Sequence, residues 1–147
     1  MRWLKYLWAL PTTCVGLLFV PLAGNRQWVA GVLEIHGGAV AWFLRNCTIL
    51  EGGAAAMTLG HIVLGIDQAA LDKTREHERV HVRQCEKWGP LFFPAYLLCS
   101  LYLFVRGRNG YLDNPFEIEA RDSCAAQRDA VRARDRTGRR RALNRKR

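Results

Sequence analysis

The 147-residue sequence has no C-x-x-C pair, no internal repeat and not one charged residue between Tyr6 and Ala23. Its five cysteines, Cys14, Cys47, Cys85, Cys99 and Cys124, are odd in number and far apart. That spacing argues against a disulfide framework and against a structural zinc knuckle, and leaves buried or incidental thiols. Aromatic rings are missing from the C-terminal end: from Gln127 onward ten basic residues face two acidic ones with nothing to stack on a base. Sequence-specific nucleic-acid recognition is therefore not expected, whereas electrostatic attraction to a polyanion is. The net charge of +9 is concentrated there: residues 24–90 balance seven basic against seven acidic residues, and residues 106–147 hold thirteen against six. The length suits one domain with appendages.

The uncharged run of eighteen residues from Tyr6 to Ala23 follows Arg2 and Lys5. As a helix it would be about 27 Å long, close to the roughly 30 Å hydrocarbon core of a bilayer. Pro21 stands where signal cleavage after Ala23 would want a small residue, so segment 1–23 is read as a retained membrane anchor. Pro11 and Pro21 also permit a kinked or re-entrant hairpin.

Residues 27–35, 39–44 and 56–65 are rich in β-branched and aromatic residues and are separated by glycine pairs at 37–38 and 52–53, which predicts a small antiparallel sheet of hairpins or a meander. Asp67 is placed to cap a helix from Gln68 to Trp88 that Gly89-Pro90 would end. Residues 91–105 form a second apolar run. Asn114 with Pro115 then opens a helix expected to reach about Arg134, before a basic, solvated and poorly ordered tail at 137–147. The fold class expected is α+β.

His77-Glu78-Arg79-Val80-His81 lies inside the helix that Asp67 opens. Residues four apart share a helical face, so both imidazoles can reach one ion, while Glu78, turned by about 100°, can hold a water beside it. One zinc ion takes such a ligand set and lowers the pKa of a water at its open position, and Glu78 would be the general base. The competing reading is a polar helix with solvated histidines, since Lys73, Arg75, Glu76, Arg79 and Arg83 would sustain it through i,i+4 charge pairs. A third ligand is sought in the segment 114–122, where Glu117 and Glu119 both qualify. Glu117 at the third helical position could instead close a capping box.

His77-Glu78-x-x-His81 followed by Phe116-Glu117-Ile118-Glu119-Ala120 resembles the gluzincin pattern of zinc metallopeptidases, distantly like the membrane-bound prenyl-protein proteases and like small HExxH domains of bacterial chains. The resemblance spans residues 77 to 121. It implies a minimal zincin-like domain over 24–136, with Glu117 as third zinc ligand, and a place at a bacterial inner membrane. Arg121 stands where many gluzincins carry an aspartate that buttresses the first histidine, and Asp122 lies about 100° further round. Gln84 and Glu119 are further candidates to orient or replace a ligand. Tyr111 is a candidate to steady an oxyanion. In zincin-like folds the strand before the metal helix binds extended substrate, which draws attention to His61, although it and His36 are expected to have local partners instead.

One geometric condition follows. If residues 91–105 crossed a bilayer, His81 and Glu117 would lie on opposite sides and could not share an ion, so the run is expected to pack, dip into the interface or close the core. The leading expectation is a membrane-associated metallopeptidase acting on a peptide or protein substrate and contacting membrane lipid. The alternative is a non-catalytic membrane protein with a relic or regulatory metal site and a polyanion-binding basic tail.

Overall fold

The computed structural model describes residues 2–48 and 52–144. Two short helices, α1 (Arg2–Trp8) and α2 (Leu10–Leu17), and a 3-10 turn (Val20–Leu22) precede the first hairpin, β1 (Asn25–Val29) with β2 (Val32–His36). Helix α3 (Gly38–Asn46), a second hairpin of β3 (Ala56–Leu59) and β4 (Ile62–Gly65), and helices α4 (Gln68–Trp88), α5 (Phe92–Val105) and α6 (Pro115–Asn144) follow. The architecture is the expected α+β one, but the sheet is mixed rather than antiparallel. Its order is β1-β2-β4-β3, with the two hairpins joined by a parallel β2/β4 pair in which Leu33 stands opposite Ile62.

Three segments differ from the expected strands. Residues 27–35 and 56–65 are each folded into a hairpin. Ala30 and Gly31 both take positive φ, 47° and 83°, the geometry a two-residue turn between twisted strands requires. Gly60, at φ 67°, turns the second hairpin, and a Cβ there would collide with Thr13 of α2. Residues 39–44 form α3 instead of a strand: Val40, Ala41 and Leu44 fall on one helical face, and that face is buried. So short an apolar run has no period by which a strand could be told from a helix.

Strand alternation puts helices on both faces of the sheet. Ile35, Ile62 and Leu64 pack with Val40 and Leu44 of α3, whereas Val32 and Val63 pack with Leu71 and Val82 of α4. The register lines up Gln27, Glu34, Val63 and Thr58 across the four strands, so all four share the α4 side with Val63. Two of them reach α4 with polar groups. Glu34 pairs with both Nε and Nη2 of Arg75 at 2.9 Å, and Thr58 bonds Glu78.

The N-terminal apolar segment is helical but not one straight rod. It breaks between α1 and α2 and again after Leu17, ahead of the 3-10 turn that holds Pro21, and it docks Ala9, Thr12 and Gly16 inward. Ala9 joins Cys85, Phe92 and Phe116 in a cluster at the end of α4. Helix α4 matches its expected bounds, with Asp67 Oδ1 accepting from the Ala70 amide at 2.7 Å and Gly89 closing it. Helix α6 runs to Asn144, past the expected end near Arg134, so the basic segment is helical where an unstructured tail was expected. Phe116, Ala120 and Cys124 bury its first turns, and from Ala125 to Thr137 every residue is exposed. Residues 145–147 lie outside the described residues.

Candidate metal centre

Helix α4 presents three groups in three directions. Arg75 and Arg79 reach the first hairpin, the latter donating to the carbonyls of Val29 and Ala30. Glu78 turns into the sheet, and His77 and His81 turn toward α6. Asn114 brings α6 to them. Its Oδ1 accepts from the Phe116 amide at 3.0 Å, and its amide group donates to the Tyr96 carbonyl and the Ser100 hydroxyl, which ties the start of α6 to the flank of α5. The segment after α5 thus folds back along it and returns Glu117 to the histidines.

Glu117 does not close a capping box. Its carboxylate faces His77 Nε2 at 3.1 Å through Oε2 and His81 Nε2 at 3.3 Å through Oε1, and the two imidazole nitrogens are 3.0 Å apart. These three side chains form a cluster able to hold a metal ion. A tetrahedral zinc ion with bonds of about 2.0–2.1 Å separates its ligand atoms by about 3.3 Å. With one ligand atom taken from each residue, these three lie within 4.8 Å of one another, a span that side-chain rotation can close on one ion. Oε2 of Glu117 is buried and, although close to His77, receives no hydrogen bond, whereas Oε1 accepts from the Tyr96 hydroxyl at 2.9 Å. Two imidazole nitrogens facing each other beside an unsatisfied carboxylate oxygen share at most one or two protons. A cation at their common centre satisfies all three, so the residues present fit a zinc ion.

The electrostatics of the metal-free cluster are those of an ion pair. Burial alone would raise the Glu117 pKa, but the imidazoles of His77 and His81 and the Tyr96 hydroxyl outweigh it and hold the carboxyl well below its usual range. Burial would lower the pKa of His81, yet Glu117 and Glu78 raise it. Glu78 is buried, which pushes its carboxyl upward against the opposing pull of His81 and Thr58. Its Oε2 accepts from the Thr58 hydroxyl at 2.7 Å, so one carboxylate oxygen is oriented by the sheet.

Among the other sequence candidates, Gln84 accepts from or faces His81 Nδ1 at 2.8 Å, and its amide nitrogen lies 2.9 Å from Glu119 Oε2. Glu119 is thus directed to Gln84 and not to the histidines. Asp122 is exposed, and Arg121 donates to the Leu112 carbonyl. Tyr111 is half-buried near the site, its phenol pushed up to about 12 by burial and by Glu117. His61 lies in the turn between β3 and β4, not within a strand, stacked on Tyr6 and 3.3 Å from Glu86. It has the local partner expected of it. His36 ends β2 and is not part of the cluster.

Thr58 and Tyr96 were not singled out by the sequence reading. A trace of each is there: Thr58 is the one hydroxyl in β3, and Tyr96 and Ser100, four apart, are two of the three hydroxyl-bearing residues, with Tyr102, in the apolar run 91–105. A polar group inside an apolar element needs a partner, which marks such positions for attention.

The site sits beside a large apolar surface. Leu91 and α5 turn Leu97, Leu98, Leu101, Phe104 and Val105 outward, with the Tyr102 ring among them and no charged residue. Trp3, Leu4, Leu7, Leu10 and Leu18 extend it on the N-terminal helices, and the two parts meet where Trp8 packs on Gly89. A helix exposed to water alone would carry polar residues on that side. The stretch Gln68–Val105, in which α4, the 3-10 turn Gly89–Leu91 and α5 follow one another, contains the one window among the described residues long and apolar enough to cross a membrane. Glu117 lies 3.3 Å from His81, so the segment that leaves α5 at Val105 returns to the histidines. Compared with models of known protein families, with curated proteins and with solved structures, the chain matches none.

Proposed function

We propose that this protein is a membrane-associated, zinc-dependent metallopeptidase of the HExxH type, hydrolysing peptide bonds. The observation that carries the reading is the convergence of His77, His81 and Glu117, whose ligand atoms lie within 4.8 Å of one another, beside a Glu78 held by Thr58. His77, His81 and Glu117 would hold the ion. Zinc in such a site supplies a Lewis acid that polarises a carbonyl and lowers the pKa of a water to about 7. Thr58 occupies Oε2 of Glu78, which leaves Oε1 to take the proton of the attacking water and to deliver it to the leaving amine. Tyr111, at the edge of the cluster, is assigned to steadying the oxyanion. The exposed apolar stripe of α5, together with segment 1–23, is assigned to contact with membrane lipid, α5 lying along the interface so that the site stays on one side.

A second reading is a non-catalytic membrane protein with a relic or regulatory metal site, its basic C-terminal helix binding a polyanion. Two observations favour it: Glu78 is buried with its pKa raised, and the arginines of α6 up to Arg136 are exposed. The deciding experiment is zinc content of the purified chain, wild type against His81→Ala, followed by casein hydrolysis in detergent. Zinc in the wild type with hydrolysis that His81→Ala abolishes supports the peptidase. Zinc without hydrolysis of any substrate tried supports the second reading.

A further inference from the structure

We infer that Gln84, backed by Glu119, is the positioning residue of this centre: it locks His81 in the tautomer whose Nε2 is free for the ion, and pins the Glu117 helix to the histidine helix. The inference rests on the metal-site reading above. Gln84 is buried, and its amide nitrogen lies 3.0 Å from the Phe116 carbonyl and 2.9 Å from Glu119 Oε2. Both of those groups can only accept, so both N–H bonds of the amide are committed to them and the carbonyl oxygen must face His81. That oxygen lies 2.8 Å from His81 Nδ1, which must therefore donate. A neutral imidazole protonated at Nδ1 carries its lone pair on Nε2, and Nε2 is the atom facing His77 and Glu117. Phe116 directly precedes Glu117, so one amide group fixes a ligand's tautomer on α4 and the backbone beside a ligand on α6.

This arrangement answers the departure at position 121. Arg121 is turned away to the Leu112 carbonyl, and among the described residues no side chain bonds His77 Nδ1. The orienting contact has moved from the first histidine to the second, and from a carboxylate to an amide that a carboxylate holds. Outer contacts of this kind typically contribute 10–100-fold to metal affinity.

The test is zinc affinity of the full-length protein, measured by competition with a chromophoric chelator, together with melting of the metal-free form in EDTA. Gln84→Leu should bind zinc about 10–100-fold more weakly than wild type. Glu119→Ala, at an exposed position that leaves the core intact, should lose about threefold or more. Gln84→Glu alone sets two carboxylates against each other and should stay weak. The swap Gln84→Glu/Glu119→Gln removes that repulsion while the Phe116 carbonyl still meets a carboxylate, so it should regain part of the loss and stay below wild type. A residue that merely packs would lower the melting temperature of the metal-free protein without this reciprocal recovery of affinity. Wild-type affinity in Gln84→Leu overturns the inference while leaving the metal site standing. A wild-type chain that takes up no zinc at all overturns the metal reading itself.

Discussion

Glu117→Ala removes the only anionic group of the cluster, and its consequences can be worked out with and without metal. In the wild type, zinc at about 100 times its Kd should stabilise the folded chain by about 2.7 kcal/mol. For a domain of this size that is a rise in Tm of roughly 5–11 °C. With Glu117 gone, two imidazoles remain and most of that rise should vanish at the same zinc concentration. In EDTA Glu117 and His81 set the two limbs of the pH dependence, and Glu78, pushed upward by burial, adds a loss of stability as pH rises through its range. The lowered Glu117 contributes stability that is complete above its unfolded pKa of about 4.3 and is lost as pH falls through its folded value. The raised His81 contributes stability that is complete below about 6.5 and is lost as pH rises through its folded value. The metal-free wild type should therefore gain most from this pair between about pH 4.3 and 6.5. Zinc should move the optimum upward, because metal and protons compete for the same nitrogens. Glu117→Ala should flatten the acid limb. Differential scanning fluorimetry across pH, with zinc or with EDTA, measures all of this. A Glu117→Ala chain that keeps the full zinc-induced rise in Tm would refute the assignment of Glu117 as ligand.

Four other outcomes are expected. Glu78→Gln should keep its zinc, measured by atomic emission, while any peptidase activity falls by at least about 10²-fold, since a positioned proton acceptor is worth 10²–10⁴. Replacing Leu97, Leu98 and Leu101 together by serine should weaken co-sedimentation with phospholipid vesicles by at least about tenfold, because each exposed leucine can bury an apolar side chain worth 1.5–3 kcal/mol. Deleting residues 137–147 should leave zinc content and Tm unchanged, since α6 is already fully exposed from Ala125 to Thr137; a marked drop in Tm would place the C-terminal helix in a contact. Arg75→Leu strands the buried Glu34 carboxylate and should cost about 2–3 kcal/mol, less than the 3–5 of a fully buried pair because Arg75 is partly solvated. Arg75→Leu with Glu34→Leu should regain most of that loss in urea unfolding.

What the sequence makes legible here is what local chemistry determines. Asp67, the glycine-proline pair at 89–90 and Asn114-Pro115 set the ends of α4 and the start of α6 through caps and stops that act within one turn. The HExxH spacing then puts His77 and His81 on one face whatever surrounds them. The sheet was harder to read for two physical reasons. Ala30 at φ 47° makes a turn that no turn-forming residue pair announces, and the Gly37–Asn46 region is too short for period to separate helix from strand. The end of α6 was misjudged because arginine and alanine are good helix formers, and their intrinsic preference carries the helix past Gly138. Thr58 and Tyr96 belong to elements distant in sequence from the motif, and only the packing of β3 and α5 against α4 and α6 brings them to it.

The choice between a metal helix and a merely solvated one turns on where the charges of α4 go. A solvated helix would spend Arg75 and Arg79 on i,i+4 partners along its own surface. In this fold Arg75 instead spans from Asp72 to Glu34 on β2, and Arg79 reaches the turn carbonyls at Val29 and Ala30, so both are engaged in holding the sheet. With those two turned to the first hairpin and Glu78 turned to Thr58, the remaining face of α4 carries His77, His81 and Gln84, and all three meet α6. A polar face buried between two helices must be satisfied from within. Gln84 is satisfied by Phe116, Glu119 and His81, and Tyr96 completes one oxygen of Glu117. The unfilled valences that remain, two imidazole lone pairs and one carboxylate oxygen, point at a single place. The segment after α5 returns along that helix, held by Asn114 to Tyr96 and Ser100, and so sets Glu117 beside the histidines.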